Sequence, residues 1–479
     1  MKLVNYKLGL VAFFLAIATS SCKEEFLTAV PELSLSDATV FTTPDRILSQ
    51  VNGLYGSAKS GSLFGGRYLI YNDIRGEEWV NRTTNSVTGY STYQGNQDPS
   101  DSYLANFWVQ GYLTINRCNL FLAGMETQKA VSAAVAANYR GEAKFLRALN
   151  YLALVQFFAK PYILDKGASA GLPLRLKGET SSANNDLPRS TVAQVYAQIL
   201  KDLDEAENEL PDSYSSALLN TTRAHKNTAI ALKTRVYLIM GDYAKVISEG
   251  NKIVSATAPF KNANRVAHAL QSDVSAVFKA PYTTSESIFS FPMADTNPPG
   301  TQNQLGYYFN AGNVEYYLNT GSTGIYNNAQ FRAADDRKTK LTVAKTAVAN
   351  FPSSTKFSGV SPYVDYVPQI RYAEVLLNVA EAEAESGNLA RAQALLEAVH
   401  QRSDASYAFG TLAKADLVKA ILTERRIEFL AEGFRANDVL RRGEALNSFG
   451  AGSLIQPSDP RYIYGIPTIE IQTNPSIGK

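Results

Sequence analysis

Ser169 stands in Gly167-Ala168-Ser169-Ala170-Gly171, the spacing of the elbow that lifts a serine nucleophile to the top of an α/β-hydrolase sheet. That elbow needs a strand before it and a helix directly after it. Pro161 and Pro173 bracket this copy and an extended link, "GLPLRLKG" (171–178), follows, so the match reads as a chance loop. Ser353-x-x-Lys356 has the spacing of a β-lactamase acyl-transfer pair but lacks the companion motifs. His225, His268 and His400 lie far apart in the chain without H-E-x-x-H spacing, and no glycine-rich loop precedes a helix to cradle phosphate. Asp73, Glu77 and Glu78, beside Trp79, offer carboxylates to a glycosidase, but the separation that matters there is spatial. The segment "NDIRGEEWVNR" (72–82) therefore reads as binding or structural. No catalytic residue, metal or cofactor is expected, and the chain is not expected to be an enzyme.

Binding is the better prospect, because tyrosine numbers 27 while tryptophan numbers 2. Such rings join a rigid apolar face to a polar handle, which suits stacking on the C–H faces of sugars. One loop group holds Tyr68, Tyr71, Trp79, Tyr90 and Tyr93. Another holds Tyr307, Tyr308, Tyr316, Tyr317 and Tyr326, among Asn303, Asn310, Asn313 and Asn319. From these, Trp79, Tyr71, Tyr90, Tyr93, Tyr307, Tyr308 and Tyr316 are the expected ligand contacts, with Arg75 and Asn81 as hydrogen-bonding partners. Any one tyrosine is more often half-buried in loop packing than bound to a ligand, and Trp108, on a helix, is expected in the core.

The first 21 residues suggest where such a protein would work. Lys2 and Lys7 precede an apolar run, Leu8 to Ala18, that is too short to span a bilayer, and Thr19, Ser20 and Ser21 lead into Cys22. This is a secretory signal over 1–21 with Cys22 placed for lipidation. Removing it takes Lys2 and Lys7 away and brings the formal charge from +2 to zero, which gives no electrostatic case for nucleic acid. Cys118 is then alone and no intrachain disulfide is possible.

The elements that must position the rings are mostly helical. Thr43 caps a helix that begins at Pro44, and residues 56–104 read as long loops with short strands. Helices are expected over 136–160 and 189–211. Two helix pairs, 228–254 and 371–402, turn at Gly241-Asp242 and Gly387-Asn388 in the manner of tetratricopeptide hairpins. They lie too far apart for a regular solenoid, which implies repeat-like pairs interrupted by inserted loops. A final long helix is expected over 414–446, with Glu432–Arg435 and Asp438–Arg442 pairing across one turn.

Taken together, the acidic follow-on Lys23-Glu24-Glu25 after Cys22, "GEAKFLRALNYLALVQFFAKPY", "GLPLRL", "LPRSTVAQVYAQILKDLDEAENELP", "ALKTRVYLIMGDYAKV", "RYAEVLLNVAEAEAESGN", "ERRIEFLAEGFRANDVLRRGEAL" and "YGIPTIEIQTNP" resemble the SusD/RagB family of Bacteroidetes outer-membrane lipoproteins. The order of these landmarks, running from Cys22 almost to Lys479, carries the resemblance; Ala436-Asn437 departs from it, where the family usually has an aromatic. It implies a mainly α, tetratricopeptide-like scaffold with long loop-rich insertions and few short strands. It also implies one domain over 22–479, with an N-terminal part to about 255, a loop-rich insertion over about 256–367 and a C-terminal helical part over about 368–479. Such a protein is anchored to the outer membrane through Cys22, exposed at the cell surface. It binds an oligosaccharide or polysaccharide and delivers it to a SusC-type TonB-dependent transporter; the alternatives are peptide capture on the same scaffold, or a helical scaffold with no small ligand.

Overall fold

The computed structural model describes residues 39–310, 315–345 and 351–478, so Cys22 and its signal lie outside the described residues. Thr43 does cap the first helix, α1 (Pro44–Ala58), its hydroxyl accepting from the Arg46 amide at 3.4 Å. The 56–104 stretch differs from expectation: it contains α2 (Arg67–Ile74), every residue of which is buried. A helix buried all round carries no amphipathic period, and the sequence therefore reads there as loop.

The scaffold continues through α3 (Ser102–Thr127), α4 (Ala133–Phe158), α5 (Val192–Glu209), α6 (Lys226–Met240), α7 (Tyr243–Gly250), α8 (Tyr372–Ser386), α9 (Leu389–Gln401), α10 (Lys414–Glu428) and α11 (Arg435–Leu440). From α3 to α9 each helix packs on the next, and α10 packs back on α8. The two expected pairs, α6/α7 and α8/α9, are thus direct neighbours although more than a hundred residues separate them in the chain. Gly250 makes that junction possible: a Cβ there would lie 2.3 Å from Val379 Cγ2.

The residues between α7 and α8 contribute most of the short strands. These are β2 (Ser287–Phe291), β3 (Tyr316–Leu318), β4 (Thr342–Lys345), β5 (Phe351–Ser354) and β6 (Val367–Arg371); β1 (Trp79–Asn81) precedes them. All pair antiparallel in twos: β1 with β3, β2 with β6 and β4 with β5. One apolar cluster runs from Ile47 to Tyr464 and takes in Phe289, Phe291, Tyr308 and Tyr316, so the 256–367 segment is part of the core rather than an excursion from it.

The expected helix over 414–446 is broken. It stops at Glu428, turns, and restarts at Arg435. Ala431 and Gly433 hold positive φ values of 68° and 78° in the turn, and a Cβ on Gly433 would sit 2.4 Å from Leu69 Cα. The turn also cancels the expected one-turn ion pairs. Glu432 instead meets Lys356 and Arg371, Arg435 reaches Glu77, and Asp438 binds Arg425 and Arg441. Gly433→Ala is expected to lower stability by about 2 kcal/mol or more, combining left-handed strain with a backbone clash. Urea unfolding measures this; a loss under half of that would mean the turn adjusts freely.

Candidate ligand-binding site

The two tyrosine groups, some two hundred residues apart in the chain, meet. Ring centroids run Tyr363–Tyr307 at 6.2 Å, Tyr307–Tyr308 at 6.2 Å, Tyr308–Tyr316 at 6.0 Å, Tyr316–Tyr93 at 5.7 Å and Tyr93–Tyr90 at 6.1 Å. The pairing of β1 with β3 (Trp79 opposite Leu318, Asn81 opposite Tyr316) is the link between the groups.

Tyr363 and Tyr307 at one end of this ladder and Tyr90 at the other are half-buried, as is Asn81, whose Oδ1 accepts from the Thr84 amide at 2.7 Å. The other expected contacts are corrected by burial. Trp79 is 0% exposed, its indole 4.2 Å from the Phe309 ring, so no ligand reaches either face. Tyr308, Tyr316 and Tyr93 are enclosed in the ladder. Tyr71 is buried, its hydroxyl accepting from Arg67 at 2.6 Å. Arg75 donates to the Arg461 and Tyr462 carbonyls at 3.2 and 2.9 Å and lies over the Tyr464 ring. Tyr71 and Arg75 thus spend their polar groups inside the fold, whereas the buried Trp79 indole N–H has no partner among the described residues. Asn303 and Asn319 are likewise taken up by the fold, with Asn319 Nδ2 donating to the Glu77 carbonyl at 2.7 Å; Asn313 lies outside the described residues.

Two further stacked pairs of rings are partly exposed. Tyr317 on β3 stacks on Phe351 of β5, centroids 3.9 Å apart and planes within 10°, both half-buried. Tyr282 stacks on Tyr366 at 4.7 Å, with its hydroxyl on Asp365 at 3.2 Å, and both rings are half-buried. Sequence reasoning grouped Tyr317 with its neighbours but did not choose it, although alternation along a strand turns it away from buried Tyr316 and Leu318. Phe351, Tyr363, Tyr282 and Tyr366 carried no sequence signal beyond the aromatic richness of the segment.

The acidic segment beneath these rings is a brace. Glu77 accepts from Arg435 and Arg426, Glu78 accepts from Arg426 at 2.6 Å, and the other Glu78 oxygen takes the Ile325 amide at 2.7 Å. Asp73 is different: burial pushes its carboxyl up to about 8, and Oδ2 has no partner among the described residues. A carboxyl raised in the folded state contributes stability that is complete below the unfolded value near 3.8 and is lost as pH rises through about 8. Asp73→Asn is therefore expected to match the parent Tm in acid and to exceed it at about pH 9. Calorimetry across pH checks this, and parallel Tm profiles would refute it.

The catalytic motifs assemble nothing further. Ser169 Oγ donates to exposed Asp165, and the three histidines make their contacts elsewhere. Lys356 Nζ is held by Glu432 Oε1 at 2.6 Å and the Glu428 carbonyl at 2.7 Å, while buried Ser353 Oγ has no partner among the described residues. His225 and His268, distant in sequence, prove to be stacked at 5.7 Å; burial lowers them to about 3 and about 4, the second charge adding to the effect on His225. They are buried neutral rings. Among the described residues no group of three or more His, Cys, Asp or Glu side chains is placed to hold a metal, and no helix is long and apolar enough to cross a membrane.

Comparison with known proteins agrees with this architecture. A family profile described as starch-binding and associating with the outer membrane matches residues 25–238, and the SusD family profile matches 240–477. A SusD superfamily protein from Bacteroides fragilis of solved structure is 35% identical, covering 92% of this chain and 100% of its own, with a TM-score of 0.83. A laminarin-binding SusD-like protein superposes with a TM-score of 0.73 at 20% identity, covering 91% of this chain and 99% of its own. SusD-like protein P38 of Formosa agariphila is 22% identical over 90% of each chain. SusD-like protein P25 of the same organism is 24% identical over 53% of this chain, which spans under half, 46%, of that relative. The helical stack with its ring-bearing inserts is that of a SusD-like protein. The chain belongs to the SusD/RagB family, a carbohydrate-binding family associated with the outer membrane.

Proposed function

We propose that this protein is a non-catalytic surface lipoprotein, acting as one unit over residues 22–479. In this reading it captures an extracellular oligosaccharide or polysaccharide and delivers it to a SusC-type TonB-dependent transporter. The observation that carries it is the Tyr317–Phe351 stack, two half-buried flat rings on neighbouring short strands, with half-buried Tyr307 and Tyr90 in the adjoining ladder. Flat apolar faces rimmed by polar groups are what a sugar's C–H face requires. Family membership and the laminarin-binding relative support the ligand class, and Cys22 after a short apolar run supports the anchor.

Native electrophoresis through gels cast with plant, host and microbial polysaccharides tests capture: migration is expected to slow in at least one glycan, without release of sugar product. Free migration in every gel together with retention on an immobilised peptide library would replace the glycan with a peptide.

A further inference from the structure

Helices α10 and α11 and the residues after α11 line a groove of about 410 Å³ that no aromatic side chain lines. Lys419, Arg426, Arg435 and Arg442 line it beside Thr423, against two acids, Asp438 and Glu444. Arg426 commits Nε to Glu78 at 2.6 Å and Nη2 to the Thr323 carbonyl at 2.8 Å. Arg435 commits Nε and Nη2 to Glu77. Arg442 commits Nε to Glu444 at 3.1 Å and Nη1 to Glu381 at 2.9 Å. One terminal nitrogen of each guanidinium is left over: Nη1 of Arg426, Nη1 of Arg435 and Nη2 of Arg442 make no hydrogen bond among the described residues. The three side chains are 20%, 19% and 20% exposed.

Lys419 is exposed and makes no ion pair among the described residues. Of the groove's two acids, Asp438 is turned to Arg425 and Arg441, each at 2.8 Å, while the exposed Glu444 pairs with Arg442 inside the groove. Carboxylate partners hold the guanidiniums of Arg426, Arg435 and Arg442 in place, and the groove gathers them with the exposed Lys419 ammonium. This is a preorganised donor set for an oxyanion, for which charge-assisted hydrogen bonds are the strongest available.

We infer that this groove binds an oxyanion group, a carboxylate or a sulfate ester, carried by an acidic sugar or free in solution. The inference does not depend on the ring site. The probes are sodium sulfate and sodium galacturonate, titrated into the full mature chain by calorimetry at low ionic strength, with sodium chloride as the blank. Saturable binding at one site per chain is expected for at least one probe. Sulfate alone would define a sulfate site and galacturonate alone a sugar-carboxylate site; either outcome supports the inference.

Lys419→Glu is expected to weaken that binding about tenfold or more, the effect of one charge-assisted bond lost and one repulsion gained. Thr423→Glu, which places a carboxylate inside the groove, is expected to do the same, and both variants should keep the parental Tm. Tyr317→Ala is expected to leave it unchanged. No saturable heat with either probe, or equal affinity in the parent, Lys419→Glu and Thr423→Glu, overturns the inference.

Discussion

Glu428→Gln is expected to destabilise the protein by about 3–5 kcal/mol, the cost of breaking a buried ion cluster from one side. Glu428 is 1% exposed and accepts from Arg337 at 2.9 Å, Arg371 at 3.0 Å and Arg402 at 2.6 Å. Arg371 also reaches Glu286 and Glu432, Arg337 reaches Asp335 and Glu424, and Arg402 reaches Glu286 at 3.0 Å. Burial alone would raise the Glu428 carboxyl. Arg402, Arg371, Arg337 and Lys356 outweigh that and hold it well below the usual carboxylate range.

Removing the charge while keeping the shape leaves one carbonyl oxygen to serve three buried guanidiniums and sets an NH2 donor against at least one of them. The sign follows from the depressed folded value: the contribution is present above the ordinary glutamate value and is lost as pH falls through the lower folded one. The deficit of the variant should therefore be large at neutral pH and shrink in strong acid. Lys340→Ala supplies the contrast. Its pair with Asp336 is 2.9 Å long but both partners are well exposed, so the change should stay below about 0.5 kcal/mol. Equal effects for the two variants in urea unfolding would contradict this view of the cluster.

That cluster also accounts for the long segment between the helix pairs. Glu286, Asp335, Arg337 and Lys356 come from within it, and the partner side chains Arg402, Glu424, Glu428 and Glu432 come from the end of α9, from α10 and from the turn after α10. The segment is fastened by charge on one side, by Phe289 and Phe291 in the core, and by the Glu77–Glu78 brace near the rings. A platform fixed from several sides can present ring faces with little freedom left to lose on binding.

The second large effect is expected at those faces. Tyr317→Ala and Phe351→Ala should each reduce affinity for the retained glycan about tenfold or more, roughly 1.4 kcal/mol per tenfold step. The double variant should lose less than the sum of the two, because removing one ring of a stacked pair already frees the other to tilt. Tyr317→Phe should retain most of the affinity if the face matters more than the hydroxyl. Calorimetric titration reads all four. Trp79→Ala makes the opposite case: its ring supports Phe309 from below, so it should lower Tm, a cost of about 3–5 kcal/mol, rather than act as a lost contact.

What was legible in the sequence follows from these particulars. The pairs α6/α7 and α8/α9 were readable because each shows an apolar stripe and a glycine-containing turn. That they adjoin was not, since the contact through Gly250 and Val379 depends on chain returning from more than a hundred residues away. Helix α2 was hidden by uniform burial, and the break after Glu428 by a helical pattern that continues across it. At the candidate site, residue types pointed to two groups of rings that the fold brings together. They could not say which rings face outward: Trp79 looked exposed among charged neighbours because those charges are paired inward with Arg426 and Arg435.

The most direct test is the crystal structure of the mature chain with the glycan that retards it in gels. Sugar rings lying parallel to the outer faces of Tyr317 and Phe351, with Tyr307 or Tyr90 within contact, is the predicted result. Glycan bound anywhere else, with those rings bare, would contradict it.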